Sequence, residues 1–211
     1  MPSPVSRSAS RRSQVPRGLL AGLVLSALAL GGATRVWGQA DPKGPPMPTA
    51  RIVKGPETGQ RAPDFTLPWA NKDGVGPEEQ SFRLTDNLGK VVVLAFFPRD
   101  FTPGSTAELQ GLATVTDSSG SEVVVVAVSS DSLETHHRFA ASLGIPFLLL
   151  SDPDQRVARR YGSDGADGTD RPTVYVIRPD GKVSYRDLAL DGQDKREYES
   201  LKRAVAKAAQ P

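Results

Sequence analysis

Cysteine is absent from this 211-residue sequence, and histidine occurs only as the adjacent pair His136 and His137. Without cysteine the chain can form no disulfide, no zinc–thiolate site, no iron–sulfur ligation and no thiol nucleophile. Two neighbouring residues of a helix point apart, so both histidines cannot face one ion, and a multi-histidine metal site is excluded. We expect no bound metal and no organic cofactor.

Acidic residues are missing from the first forty positions, which contain five arginines. The rest of the chain has 21 basic and 24 acidic residues, so its net charge is about −3 rather than the +2 of the whole sequence. The basic pI of about 9.0 therefore reflects the N-terminal arginines. We predict no nucleic-acid partner, because the remaining chain lacks the excess of positive charge that such a partner requires.

A secretory signal peptide is predicted at residues 1–40. Residues 1–17 are rich in serine and arginine, residues 18–33 form an uncharged apolar run, and small residues stand at Gly38 and Ala40. The run is shorter than the roughly 20 residues that span a bilayer, although an uncleaved N-terminal anchor stays an alternative. We predict cleavage after Ala40 and an exported protein, periplasmic or extracellular, without a stable membrane span. The Sec and twin-arginine routes both stay open.

A linker and one folded domain follow the leader. Residues 41–58 are dense in proline and glycine, which favours an extended linker, and we place the domain at residues 59–211. Apolar, β-branched runs in the domain are typical of buried strands, and Asp180-Gly181 predicts a hairpin turn. The predicted strands cover residues 90–97, 122–128, 147–150, 173–177 and 182–190, with 65–67 and 81–84 as weaker candidates.

Helical segments lie between these strands. Ser132 is a suitable N-cap and Gly144 a suitable end for one of them. The C-terminal segment places Tyr198, Leu201 and Val205 on one face. The predicted helices cover residues 106–116, 132–143, 154–161 and 193–209. This order predicts an α/β fold with a central mixed β-sheet flanked by helices.

The segment at residues 98–105 reads P-R-D-F-T-P-G-S and joins the first buried strand to a helix. In open α/β sheets ligands bind beyond the carboxyl ends of strands, and the free N–H groups at a helix start attract anions. Thr102 and Ser105 place hydroxyl groups at that point. A helix N-cap preceded by a proline–glycine turn is the alternative interpretation of the same residues.

The segment also resembles the Pro-x-x-x-Thr-x-x-Cys motif of the peroxiredoxins, the alkyl hydroperoxide reductase and thiol-specific antioxidant family. The resemblance covers residues 59–209 and is closest to the bacterioferritin comigratory branch, whose site reads D-F-T-P-G-C-T. It implies a thioredoxin-like fold and the thiol-dependent reduction of hydrogen peroxide and organic hydroperoxides, an antioxidant activity. Further matching segments are GQRAPDFTL at 59–67, VSSDS at 128–132, Phe139, PFLLLSD at 146–152, RPTVYVI at 171–177 and Asp180-Gly181.

The reactive atom departs from the family pattern. Ser105 stands where the family has its peroxidatic cysteine, and Gln110 stands where many members of the branch have a resolving cysteine. In the family the thiolate attacks the peroxide O–O bond and becomes a sulfenic acid. A serine hydroxyl has a far higher pKa than a thiol, and its oxygen forms no stable counterpart of a sulfenic acid. The chain is therefore predicted to be a pseudoenzyme without the family's peroxidase activity.

The other positions of the family's site are retained. The resemblance implies that Pro98 shields the pocket and that the Thr102 hydroxyl bonds the peroxide oxygens. It also implies that the backbone N–H groups of Gly104 and Ser105 donate to the same place and that Arg171 supplies positive charge. We expect a pocket that can still hold a small peroxide or oxyanion.

Two other functions stay open. One is a working antioxidant oxidoreductase that uses the thiol of a partner, and the other is a structural or chaperone-like protein of the envelope. The protein partners considered are a thioredoxin-like protein and an envelope protein. A hydrolase with Ser105 as nucleophile lacks a nearby base and a G-x-S-x-G motif. We expect His136 and His137 to be solvated. Residues 152–154 are interpreted as a turn and helix cap rather than a calcium loop.

Overall fold

The computed structural model of the protein describes residues 54–119 and 123–210. The predicted signal peptide at residues 1–40 lies outside this part of the chain, as do residues 41–53 of the predicted linker. Within the described residues, no helix combines the length and the apolar character needed to cross a bilayer.

Nine strands form two sheets in the described chain. They are β1 (Thr66–Leu67), β2 (Trp69–Asn71), β3 (Gly74–Val75), β4 (Phe82–Arg83), β5 (Val91–Phe96), β6 (Val123–Ser129), β7 (Leu148–Ser151), β8 (Thr173–Ile177) and β9 (Val183–Asp187). β1 pairs with β4, and the others form a seven-stranded sheet in the order β3-β2-β7-β6-β5-β8-β9. β5 is parallel to β6, and β6 to β7, whereas the other pairs are antiparallel. The predicted mixed sheet is confirmed.

Four α-helices flank the large sheet. They are α1 (Pro103–Ser119), α2 (Leu133–Leu143), α3 (Arg156–Tyr161) and α4 (Lys195–Ala208). The predicted ends of α2 are confirmed, because the Ser132 side chain accepts the Thr135 N–H and Gly144 adopts the left-handed conformation with φ of 64°. α1 begins three residues earlier than the predicted 106, because the fixed φ of Pro103 suits the first position of a helix.

The core has one layer on each face of the sheet. Alternate side chains of β5 point to opposite faces and so belong to different layers. Val91, Val93 and Ala95 pack in a cluster with α1, α2 and α4. Val92 and Leu94 pack on the other face, with α3 and the β1–β4 pair. Every residue of β5 is buried, which explains its continuous apolar run. The carboxyl end of this interior strand leads into the segment before α1.

Two short strands, β2 and β3, escaped prediction. They form a hairpin at the sheet edge, and the Asn71 side chain accepts the backbone N–H groups of Asp73 and Gly74 at its turn. Strands of two or three residues are too short for a period-two pattern to be visible in the sequence.

The part of the predicted linker that the structure describes contacts the domain. The Arg186 side chain donates hydrogen bonds of 3.2 Å to the carbonyl oxygens of Lys54 and Pro56. Gly59 N–H donates to the Val183 carbonyl at 2.8 Å. The chain is therefore bonded along β9 before it enters β1.

Candidate functional site at the start of helix α1

The segment between β5 and α1 carries the predicted site. Phe97, directly after β5, is fully buried, and its N–H donates to the Val128 carbonyl of β6 at 3.0 Å. The chain then turns through Phe101, whose φ of 58° is in the left-handed region. α1 begins at Pro103, so its first turn contains Gly104 and Ser105. The site thus lies at the carboxyl end of the central strand, as predicted for a sheet of this kind.

Thr102 and Ser105 are linked by two hydrogen-bond contacts. The two hydroxyl oxygens lie 2.9 Å apart, and the Ser105 N–H donates to Thr102 Oγ1 at 3.2 Å. Thr102 Oγ1 also lies 3.2 Å from the Arg99 carbonyl, which can only accept. The Thr102 hydroxyl proton therefore has two acceptors within reach, Ser105 Oγ and the Arg99 carbonyl, and Ser105 Oγ accepts in this contact. Ser105 is 1% exposed, so this oxygen lies at the bottom of the site.

A cleft of about 360 Å³ lies over these residues. Its lining contains four residues that were predicted for the site, Pro98, Thr102, Gly104 and Ser105. The rest of the lining is Glu108, Pro172, Ala189, Leu190, Asp191, Gly192 and Gln193. Two acidic residues and no lysine, arginine or histidine therefore line the cleft.

Arg171 lies next to the lining residue Pro172 but is itself not part of the lining. Its side chain is exposed, and its guanidinium donates to the Gly162 carbonyl. Its backbone N–H donates to the Ser163 carbonyl at 2.6 Å. The Arg171 guanidinium is therefore engaged outside the cleft lining, and its role in binding stays a prediction.

Gln110, which the family resemblance predicts to stand at the position of a resolving cysteine, faces a different cleft. It is exposed and lines a second cleft of about 520 Å³, whose walls come from α1 and α4. Gly192 and Gln193 line both clefts. Gln110 and Ser105 therefore line different clefts that share the segment at 192–193.

Glu108 is a candidate functional residue that the sequence analysis missed. It is 2% exposed, lines the Ser105 cleft, and its Oε1 has no hydrogen-bond partner among the described residues. Burial raises the pKa of this carboxyl well above its ordinary value. The signal in the sequence was its spacing, because a residue three positions after Ser105 lies on the same face of a helix.

The expectation that both histidines are solvated is wrong for His136. It is fully buried, with Nδ1 2.8 Å from Asp100 Oδ2 and Nε2 3.2 Å from the Leu150 carbonyl. His137 is partly buried, with Nδ1 2.9 Å from the Asn71 carbonyl. A polar residue at a buried helix position gives no periodicity signal of its own, and the partner Asp100 lies 36 positions away. Both nitrogens of His136 are engaged, so it offers no base to Ser105.

Asp152 is a helix cap, as predicted. Its Oδ2 accepts the N–H groups of Val157 and Ala158 at 2.9 Å each, at the start of α3. No group of three or more histidine, aspartate or glutamate side chains suited to a metal ion occurs in residues 54–119 and 123–210. The absence of a metal or organic cofactor stays an expectation.

A mixed sheet flanked by helices, with a threonine–serine pair at the helix start after its central strand, defines a thioredoxin-like domain of the peroxiredoxin class. The AhpC/TSA family matches residues 58–186, and the chain belongs to this family. The bcp protein of Coxiella burnetii is 42% identical over 107 residues, which are 50% of this chain and 66% of that protein. Peroxiredoxin Bcp of Escherichia coli K12 is 33% identical over 138 residues, 61% of this chain and 83% of that protein.

Solved structures agree with this assignment. Peroxidoxin BcpB from Mycobacterium tuberculosis is similar with a TM-score of 0.60 and 25% sequence identity, over 74% of this chain and 99% of that chain. The chain is therefore a peroxiredoxin homologue of the bacterioferritin comigratory protein branch, and the predicted thioredoxin-like fold is confirmed. The chain contains no cysteine.

Proposed function

We propose that this protein is an exported peroxiredoxin homologue that does not reduce peroxides by itself and uses the Ser105 cleft to bind a small ligand. One observation carries the proposal: Ser105 occupies the start of α1, bonded to Thr102, in a chain that has no cysteine anywhere. The hydroxyl environment of the family's site is therefore kept while its reactive sulfur is gone.

The missing step is the oxidation of sulfur. In the family's reaction the thiolate attacks one peroxide oxygen, the O–O bond breaks, and sulfur keeps that oxygen as a sulfenic acid while water or an alcohol leaves. The serine hydroxyl of Ser105 is a poor nucleophile at neutral pH because its proton is held far more tightly than that of a thiol. With no second thiol in the chain, no disulfide can complete a cycle either.

The charge of the cleft favours a neutral ligand over an anion. Glu108 and Asp191 line it, and its lining contains no cationic side chain. The helix start favours an anion by only about 0.3–1 kcal/mol at an accessible site. Burial raises the pKa of Glu108, and this carboxyl does not repel an anion as long as it holds its proton. Once it loses that proton, it repels an anion as Asp191 does. Of the two predicted ligand types, a neutral hydroxylic molecule such as hydrogen peroxide is therefore favoured over an oxyanion.

Backbone amide NMR of the ¹⁵N-labelled protein tests the binding proposal. Without a thiol, hydrogen peroxide can be titrated as a ligand, and inorganic phosphate serves as the anionic probe. We expect saturable shifts at Gly104, Ser105 and Glu108 with peroxide, weaker shifts with phosphate, and loss of the peroxide shifts in Thr102→Val. Shifts spread over the surface, or equal in the Thr102→Val variant, would refute binding at this cleft.

Export is supported by the order of charged, apolar and small residues in positions 1–40. Expression of the full chain in a Gram-negative host, followed by fractionation and N-terminal sequencing, tests it. We expect a periplasmic form that starts at Asp41. A cytoplasmic protein that retains Met1–Ala40 would contradict export.

A further inference from the structure

Asp100 and His136 form a buried pair that the proposed binding function does not use. Their side chains are 1% and 0% exposed, and 2.8 Å separates Asp100 Oδ2 from His136 Nδ1. Asp100 lies two residues before Thr102 in the turn, whereas His136 belongs to α2. We infer that Asp100 and His136 share one proton as a pair without net charge. We also infer that they are positioning residues for the turn that carries Thr102 and leads to Ser105 in α1.

The acceptors around the imidazole ring fix the number of hydrogens. A backbone carbonyl can only accept, so the 3.2 Å contact with Leu150 O requires a hydrogen on His136 Nε2. A second hydrogen must then lie between His136 Nδ1 and Asp100 Oδ2, because two lone pairs at 2.8 Å would repel each other. On Nδ1 this hydrogen gives an imidazolium and a carboxylate, and on Oδ2 a neutral imidazole and a carboxylic acid. Both forms hold the same two hydrogens and carry no net charge.

The surroundings of the pair favour this neutral count. Burial raises the pKa of Asp100, the hydrogen bond and charge of His136 lower it, and the Asp131 carboxylate raises it. Asp131 lies on the connection between β6 and α2, where it accepts the Asp100 N–H at 2.8 Å and the Ser129 hydroxyl at 3.0 Å. Leu150 of β7 and the Phe97 ring complete the contacts of His136. A carboxylate at Asp100 without a compensating positive charge would be buried away from water and close to the Asp131 carboxylate, which is unfavourable. The shared proton removes this net negative charge.

The Asp100–His136 pair influences the site through the turn that joins Asp100 to Thr102. Phe101 has a φ of 58°, a conformation that an aromatic residue adopts only when its surroundings hold it. Its neighbour Asp100 is held twice, through its backbone by Asp131 and through its carboxyl group by His136. The Phe101 ring packs on Phe139 of α2 with 4.8 Å between ring centroids. The segment from Asp131 to Phe139 therefore holds the turn from which the Thr102 hydroxyl reaches Ser105.

Nitrogen NMR of histidine-labelled protein tests the hydrogen count directly. We expect His136 at neutral pH to have hydrogen on Nε2 and a strongly downfield proton between Nδ1 and Asp100. The same Nε2–H form should persist in Asp100→Asn, where the side-chain amide can donate to Nδ1. A His136 ring with hydrogen on Nδ1 alone and a bare Nε2 in the unmodified protein would overturn the shared-proton assignment.

Hydrogen exchange of the Ser105 amide tests the positioning role. Asp100→Ala leaves Nδ1 of His136 without a partner, and we expect the protection of Ser105 N–H to fall by about tenfold or more beyond any global loss of stability. Asp100→Asn should restore most of the protection. Leu201→Ala, a core change in α4 away from the turn, is the matched control for global destabilisation. Equal protection of Ser105 in Asp100→Ala and Leu201→Ala, after correction for stability, would overturn the positioning role.

These outcomes do not depend on whether the cleft binds a ligand. Both readouts use the protein without any added molecule. Failure of peroxide and phosphate to bind would refute the proposed function. It would not change the hydrogen count measured for His136 or the protection measured for the Ser105 amide.

Discussion

The carboxyl group of Asp170 should make the stability of this protein depend on pH in a way that a single substitution removes. Asp170 is 1% exposed, its Oδ1 accepts the Gln155 side-chain amide at 2.6 Å, and its Oδ2 has no partner among the described residues. Burial, opposed by the Gln155 hydrogen bond and assisted by the carboxylates of Asp152, Asp164 and Asp131, raises the pKa of Asp170 from 3.8 to about 7.

The sign and size of the effect of Asp170 on stability follow from the linkage between protonation and folding. A carboxyl whose pKa is raised by folding contributes its full stability below the unfolded value, and the contribution falls as the pH rises to the folded value. A shift of about three pKa units corresponds to about 4 kcal/mol. Asp170→Asn stays neutral at every pH. The variant should therefore gain up to about 4 kcal/mol over the unmodified protein between pH 4 and pH 7.5.

Urea unfolding at a series of pH values measures this gain. For a slope of about 2 kcal/mol per molar, the midpoint of Asp170→Asn should move by about 2 M relative to the unmodified protein across this range. Asp167→Asn is the control, because hydrogen bonds from Thr169 lower the pKa of the exposed Asp167, and its stability effect has the opposite sign. A difference between Asp170→Asn and the unmodified protein that does not change with pH would refute the reasoning.

Two further predictions concern the Ser105 cleft. Glu108→Gln should stabilise the protein increasingly as the pH rises above about 4.5, because burial raises the pKa of Glu108 and the glutamine has no proton to lose. A difference between the urea midpoints of the variant and the unmodified protein that stays constant over this pH range would contradict this prediction. Thr102→Val should lower stability by about 1–2 kcal/mol, or roughly 3–6 °C in Tm, because the Ser105 N–H loses its acceptor. Calorimetry checks the second prediction, and an unchanged Tm would show that the contact between Thr102 and Ser105 adds nothing.

The parts of the fold with strong local patterns were predictable from sequence. The continuous apolar runs gave β5, β6 and β8 within one or two residues, and the Ser132 cap and Gly144 end gave α2. The hairpin of β2 and β3 was not predictable, since its strands have only two or three residues.

The site was predictable where a linear motif carries it and obscure where distant residues meet. Pro98, Thr102, Gly104 and Ser105 lie within eight residues and line one cleft as expected. Asp100 and His136 are 36 positions apart, and no local sequence pattern predicts that they pair. Sequence spacing likewise gave no sign that the Arg171 guanidinium bonds the Gly162 carbonyl outside the cleft lining.

We propose that the missing sulfur at position 105 is what prevents peroxidase activity when an external dithiol replaces the absent resolving thiol. Hydrogen peroxide consumption with excess dithiol, measured for the unmodified protein and for Ser105→Cys in parallel, tests it most directly. We expect no consumption above the buffer rate by the unmodified protein and catalytic consumption by Ser105→Cys, with the new thiol at the start of α1 beside Thr102. Turnover by the unmodified protein, or a folded Ser105→Cys variant that stays silent, would contradict the account.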